Sequence, residues 1–489
     1  MAKTNKMKLK ITAKELRALG FPESPVIPVA MNVMEKHYKH HLKEEAFEIL
    51  KAILASPKDF LNDENLGAIA EKLIAKEVEN PFNETLGDAV HYNIFGAEHI
   101  EDGALQQMNT AAKLPISIAG ALMPDAHHGY GLPIGGVLAT KNAIIPYGVG
   151  VDIGCRMCLS IFDIDVKDLI QRENFFVREL HENTLFGSGA QFKQPAIHEV
   201  MDRKEFNEIE LLKSLQARAL RQLGSSGSGN HFVEFGIVEI TEKDEVLCVD
   251  AGTYIGLLSH SGSRALGANI ANHYTKIAKD KRRLPDEAKN LAWLNLDEQE
   301  GIEYFMAMNL AGDYASACHH IIHQKMAKQL GREPIKMVEN HHNFAWKEMY
   351  HNEEVIVHRK GATPAGKGVL GIIPGSMTAD GFIVKGKGEA ASINSAAHGA
   401  GRQMSRTRAL QSITQNALND ELKKYGVKLL GGGLDEAPFA YKNITEVMKS
   451  QKALVDIVGK FTPKIVKMCG AETNQWRKPK KGENVADGE

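Results

Sequence analysis

The chain has 489 residues, 43% hydrophobic and 25% charged, with a net charge of −2. That is the composition of a soluble globular protein of roughly two to four domains, or of one large unit. It excludes a global basic field, so any phosphate-binding surface must be local, and no apolar run approaches the ~18 residues of a membrane span.

The opening stretch, "MAKTNKMKLKITAKEL", has charges but no apolar core, so it does not read as a secretory signal. From residue 12 to about 85 apolar residues recur at helical spacing, as in "EEAFEILKAILASP" and "NLGAIAEKLIAKEVE". No candidate chemistry falls there, and 1–87 is expected to be a helical appendage. From about 88 short apolar runs alternate with glycine turns, and "GGVLATKNAIIPYGVGVDIGCRMCLSIFDI", "NHFVEFGIVEI" and "EVLCVDAG" read as strands. Residues 285–331 return to helix, with Gly331 as C-cap. Strands and glycine loops alternate again over 337–402, and 476–489 is a polar tail. No GxxxxGK[ST] or GxGxxG occurs, which argues against P-loop and Rossmann sites. The expected fold is α+β: one catalytic unit of mixed sheets flanked by helices, over 88–475.

Five scattered cysteines (Cys155, Cys158, Cys248, Cys318, Cys469) argue for a reducing, cytoplasmic setting rather than a disulfide framework. Several histidines sit at strand ends or glycine turns: "MPDAHHGYG" (Asp125, His127), "GVDIGCRM" (Asp152, Cys155), "GSGNHFVE" (Asn230, His231, Glu234), "SHSGSR" (His260, Arg264), "HHNFAW" (His342, Asn343) and "HRKGATP" (His358, Arg359, Lys360). Asp152, Cys155, His231, His260 and His342 offer carboxylate, thiolate and imidazole, a donor set for Zn, Mn, Co or Fe. A buried structural cysteine is the plainer reading of Cys155. In "NHFVEF", strand alternation puts Asn230, Phe232 and Glu234 on one face and His231 on the other; if His231 binds metal beside Asn230, the strand must begin or bulge there. His319 and His323 are spaced i, i+4, but no glutamate follows His319 and Ile321 and Ile322 lie between; they read as a solvated or packed helix face. "NSAAHGAGRQMSR" sets His398 among small residues, with Arg402 and Arg406 close by, as an anionic ligand would need.

Together with "IPGSM", "HGAGR" and "EAPFAYK", these segments occur in the order of the RtcB family of RNA ligases, which the chain resembles from about residue 100 to about 470. The resemblance implies an enzyme that joins an RNA 3′-phosphate or 2′,3′-cyclic phosphate to a 5′-hydroxyl, in tRNA splicing or RNA repair, using GTP and manganese. It implies that His398 is the nucleophile that becomes histidine-GMP. It makes Asp152, Cys155, His231, His260 and His342 ligands of two Mn²⁺ ions, with Cys155 bridging. It assigns the nucleotide to Asn230, Glu234, Ser376, Met377, Gly399, Ala400, Gly401, Tyr441 and Lys467, with Glu234 reading the guanine edge. It admits an activating protein partner and no membrane. Where the family has a serine and a tyrosine after "IPGSM", this chain has Gly381 and Phe382. Two other readings suit the same residues: a metal-dependent phosphodiesterase or phosphatase, and a catalytically silent RNA-binding protein.

Overall fold

The computed structural model describes residues 9, 11–22, 26–74 and 84–470. The tail expected at 476–489 lies outside them. The chain separates into two compact units, 1–83 and 84–489.

The first unit is helical. Thr12 and Glu15 form a reciprocal capping box that starts the helix Ala13–Ala18. Val26–His37, Lys43–Ala55 and Gly67–Ile74 follow. Their apolar stripes, including Val26, Ala30, Met34, Ala46, Leu50, Ile53 and Ile69, close into one core with Leu16.

The second unit is built on two large sheets. The five-stranded sheet runs, in spatial order, Tyr92–Ile94, Ser117–His127, Ile134–Thr140, Glu353–Lys360 and Asn343–Tyr350. The main path of the larger sheet runs Leu370–Ile373, Gly381–Gly386, Val455–Gly470, Phe232–Ile240, Gly252–Ser261, Arg156–Phe162 and Lys336–His341, with Lys428–Gly432 parallel to Val455–Gly470. Along that path the pairs are antiparallel. This is an α+β architecture.

Two local expectations give way. "EVLCVDAG" is a turn, because the Asp244 carboxylate accepts hydrogen bonds from the N–H groups of Val246 and Leu247; the strand starts only at Gly252. The helix expected over 285–331 begins at Gln299. Ahead of it Leu294–Asn295 pairs with Ala143–Ile144 instead. The helix Gln299–Leu330 does end at Gly331 in the left-handed conformation. Among the described residues no helix is long and apolar enough to cross a membrane.

That long helix covers one face of the larger sheet and fixes the turn that carries Asp152 and Cys155. Gly154 has φ +70°, and a Cβ there would lie 2.8 Å from the Gly312 Cα on the helix. Gly154 N–H also donates to the Asn343 carbonyl at 2.7 Å. Gly154→Ala is therefore expected to cost on the order of 1–3 kcal/mol. A thermal melt would show this as a lowered midpoint; an unchanged midpoint would mean that the turn accepts a side chain.

Candidate active site

Four strand ends deliver the donor set. Asp152 and Cys155 sit in the glycine turn before Arg156–Phe162, and His231 immediately precedes Phe232–Ile240. His260 lies near the end of Gly252–Ser261, and His342 joins two strands. Cys155 Sγ is 3.5 Å from His231 Nε2 and 3.2 Å from His260 Nε2. His260 Nε2 is 3.3 Å from His342 Nε2, and Asp152 Oδ2 is 3.0 Å from His231 Nε2.

Backbone carbonyls fix the two central rings. His231 Nδ1 meets the Ser226 carbonyl and His260 Nδ1 the Asn230 carbonyl, each at 3.3 Å. A carbonyl only accepts, so each Nδ1 carries the hydrogen and each Nε2 presents a lone pair inward. The thiol proton can satisfy one such lone pair; a divalent cation satisfies all of them at once and suits this mix of donors. The residues fit a metal.

His398 is 8% exposed, and its ring lies 4.9 Å from that of His342. Its Nδ1 donates to Asp125 Oδ2 at 2.7 Å. The same oxygen accepts the N–H groups of His398 (3.1 Å) and Gly399 (3.3 Å). Asp125 thus fixes both the loop and the tautomer, leaving the lone pair on Nε2. Gly401 has φ +71°, and any Cβ there would overlap the Asp125 carbonyl. The small residues around His398 serve this close approach. "MPDAHH" marked Asp125 as a candidate, but its role as the partner of His398 was not foreseen.

A cavity opens beside His398. Asn230, Glu234, Ser376, Met377, Gly399, Ala400, Gly401 and Tyr441 line it, and His260 and His342 form its border with the donor cavity. Phe232 lines it too, whereas His231 faces the donor side; the strand begins at Phe232, as the alternation requires. Glu234 is 4% exposed, and its carboxyl has no hydrogen-bond partner among the described residues. Burial pushes its carboxyl well above the ordinary carboxylate range. Tyr441 Oη donates to Glu436; burial first, and then the charge of Glu436, raises its phenol well above the usual value.

Other expected residues lie elsewhere. Lys467 is not at the cavity: Val466 and Met468 face it, and alternation turns Lys467 to the opposite side. There Lys467 Nζ donates to the carbonyls of Leu180 (2.9 Å) and Thr184 (3.2 Å), near the end of the helix Glu173–Asn183. Burial lowers its pKa to about 8. Gly381 lines the cavity, while Phe382 packs into a separate core cluster. Arg402 and Arg406 border the site but are ion-paired with Glu436, and Arg406 with Asp435 as well. His358 and Arg359 are structural. The His358 ring bridges Ile145 N–H and the Leu138 carbonyl, and the fully buried Arg359 holds Glu348 and Ser395. Of the solvated or packed face expected for His319 and His323, the packed one is found: both are buried.

Fold and site define the class: an α+β enzyme in which a cluster of metal-ligand side chains and a carboxylate-oriented histidine lie on two adjoining cavities. A family model described as "tRNA-splicing ligase RtcB" matches residues 107–468. The chain is 33% identical over 399 residues to "RNA-splicing ligase RtcB" of Escherichia coli K12, covering 73% of this chain and 92% of that protein. It is 30% identical over 434 residues to "tRNA-splicing ligase RtcB" of Nanoarchaeum equitans (74% and 91% covered). It is also 30% identical over 427 residues to the protein of the same name in Methanococcus maripaludis (72% and 88% covered). The chain belongs to the RtcB family. The relatives are named as ligases, which does not favour the hydrolase or silent-binder readings.

The Glu234 carboxyl yields a pH prediction. Its folded pKa lies above the unfolded one, so between the two the unfolded chain binds fewer protons and stability falls as pH rises. Glu234→Gln removes this penalty. The ligand-free variant is expected to melt progressively higher than wild type as pH rises from 4.5 to 8, with little difference at the acid end. A gap that stays constant across this range would show that Glu234 is not held protonated by burial.

Proposed function

We propose that the chain is an RNA ligase that joins a 3′-phosphate end to a 5′-hydroxyl end through a covalent GMP on His398. The observation that carries this reading is the Asp125–His398 bond. It keeps the proton on Nδ1 and aims a lone pair from Nε2, beside the donor cluster and at the border of a cavity lined by Glu234, the 399–401 loop and Tyr441. Nε2 attacks the α-phosphorus of GTP; the N–P bond forms as the bond to the bridging oxygen breaks, and pyrophosphate leaves. A 3′-phosphate oxygen of the RNA then takes the GMP, and His398 regains its lone pair. The 5′-hydroxyl, losing its proton, attacks the activated phosphorus and GMP departs. A 2′,3′-cyclic end enters after water opens it to a 3′-phosphate.

Asp152, Cys155, His231, His260 and His342 would hold divalent metal, read here as two Mn²⁺ ions, which when bound withdraws charge from the phosphates. Asn230 lines both cavities and would contact the triphosphate. Glu234 would accept the guanine N1–H and 2-amino hydrogens, which adenine lacks, and those donors favour its ionised form. Ser376, Met377, the 399–401 loop and Tyr441 complete the nucleotide site. RNA with these ends is the partner, in tRNA splicing or repair, in the cytoplasm.

Incubation with α-labelled GTP and manganese tests the reading. Wild type is expected to acquire label that is acid-labile and alkali-stable. His398→Ala should take up none while staying folded; covalent GMP on that variant would reassign the nucleophile. Asp125→Ala loses the tautomer lock, and its rate of labelling is expected to fall by roughly 10²–10⁴-fold. Labelling of Asp125→Ala at the wild-type rate would mean that the bond to His398 plays no part in the reaction.

A further inference from the structure

Behind the donor cluster, on the other face of the same sheet, lies a second group of titratable side chains that the reaction does not use. Cys158, His319 and His323 are buried with their donor atoms within 4.8 Å of one another. Their hydrogen bonds show what they are. His319 Nε2 meets the Ser261 carbonyl at 3.1 Å, so Nε2 carries the hydrogen and Nδ1 the lone pair. Ser259 Oγ, 2.6 Å from that Nδ1, must donate to it. Ser259 Oγ in turn accepts from His323 Nε2 at 2.8 Å. That leaves the His323 lone pair on Nδ1, where Ser160 Oγ donates at 2.7 Å. Every proton in the chain has one place, and both imidazoles are neutral. Burial acts in the same direction, lowering the pKa of both histidines. Neither ring keeps a lone pair for a metal, and burial pushes the Cys158 thiol well up.

The chain ends where the donor cluster is held. Ser261 follows His260 in sequence. Its hydroxyl donates to the Ser226 carbonyl at 3.1 Å, the same oxygen that accepts His231 Nδ1–H. Ser226 Oγ returns a bond to the His260 carbonyl at 3.4 Å. A single residue, Ser261, therefore links the buried chain to the backbone and ring contacts that aim His260 and His231.

We propose that His319 is a positioning residue for the donor cluster: its bond to the Ser261 carbonyl, oriented by the Ser259–His323–Ser160 chain, sets where His260 and His231 present Nε2. This rests on reading the cluster as the metal centre. Side chains that orient metal ligands carry about 10–100-fold in metal affinity.

The test is a titration of the nucleotide-free, full-length protein with Mn²⁺, following the electron paramagnetic resonance signal of the free ion, with a thermal melt of each variant. His319→Ala is expected to bind Mn²⁺ about 10–100-fold more weakly. His319→Gln keeps an N–H for the Ser261 carbonyl and should recover most of that affinity. Ile322→Ala, a buried apolar truncation on the same helix, should lower the melting point and leave affinity within twofold. If His319→Ala does not fold, Ser259→Ala, which removes the hydroxyl that orients His319, is read in its place and should bind several-fold more weakly. A folded His319→Ala, or in its place Ser259→Ala, that binds Mn²⁺ as wild type does overturns the proposal. So does stoichiometric metal in the purified protein that disappears in Cys158→Ala. Cys155→Ser separates the two readings. If it too binds normally, the cluster is not the metal centre; if it loses Mn²⁺ while His319→Ala does not, only the positioning role fails.

Discussion

Lone pairs repel at hydrogen-bond distance, yet at the end of the larger sheet the fold forces several of them together. His231 and His260 each give one ring nitrogen to a main-chain carbonyl and turn the other toward the Cys155 sulfur. Asp152 completes the set from the same turn as Cys155. Such crowding has one economical remedy, a cation among the donors, and the surroundings are arranged around that need. The Gly154 turn presses against the long helix to bring Cys155 inward. The His398 loop is drawn down by three bonds to one oxygen of Asp125, bringing its ring beside His342.

The sheet works as a partition. Alternation along neighbouring strands sends Met157, His260, Phe232 and Glu234 to the cavity side. Along two of those strands Cys158, Ser160, Ser259 and Ser261 go to the helix side. Both faces are polar at the same level, which is costly unless every group is paired. On the helix side the histidine–serine chain meets that condition with neutral groups alone. On the cavity side Glu234 does not meet it, and a buried acceptor without a partner marks where a ligand with hydrogen to donate would sit.

Much of the site was legible because its chemistry is concentrated in short segments. Glycine turns flanking single Asp, Cys and His residues are where strands end, and strand ends are where sites are built. The alternation in "NHFVEF" placed Asn230 and Glu234 opposite His231 without any three-dimensional information. What stayed hidden was pairing over distance. Asp125 and His398 are 273 positions apart, and no local pattern ties them. Arg402 and Arg406 read as anion receptors because Asp435 and Glu436, their partners, arrive from another segment. Lys467 was carried to the cavity by resemblance alone, and strand alternation turns it away. The histidines of the long helix read as a solvated or a packed face, and the choice stayed open for a related reason: the serines that satisfy them come from two strands, so their burial has no local signature. In the helical first unit, by contrast, the helices carry their own apolar stripes, and the periodicity sufficed.

Asn230, His260 and His342 form a wall common to the two cavities. A ligand on one side that moves or polarises any of them alters the environment on the other. Where a ligand does so, occupancy of the two cavities is thermodynamically linked, and linkage is reciprocal. Whatever factor a ligand in one cavity adds to the affinity of the other for its own ligand, the second adds to the affinity for the first. The order in which they enter can change the route to the loaded protein but not its free energy.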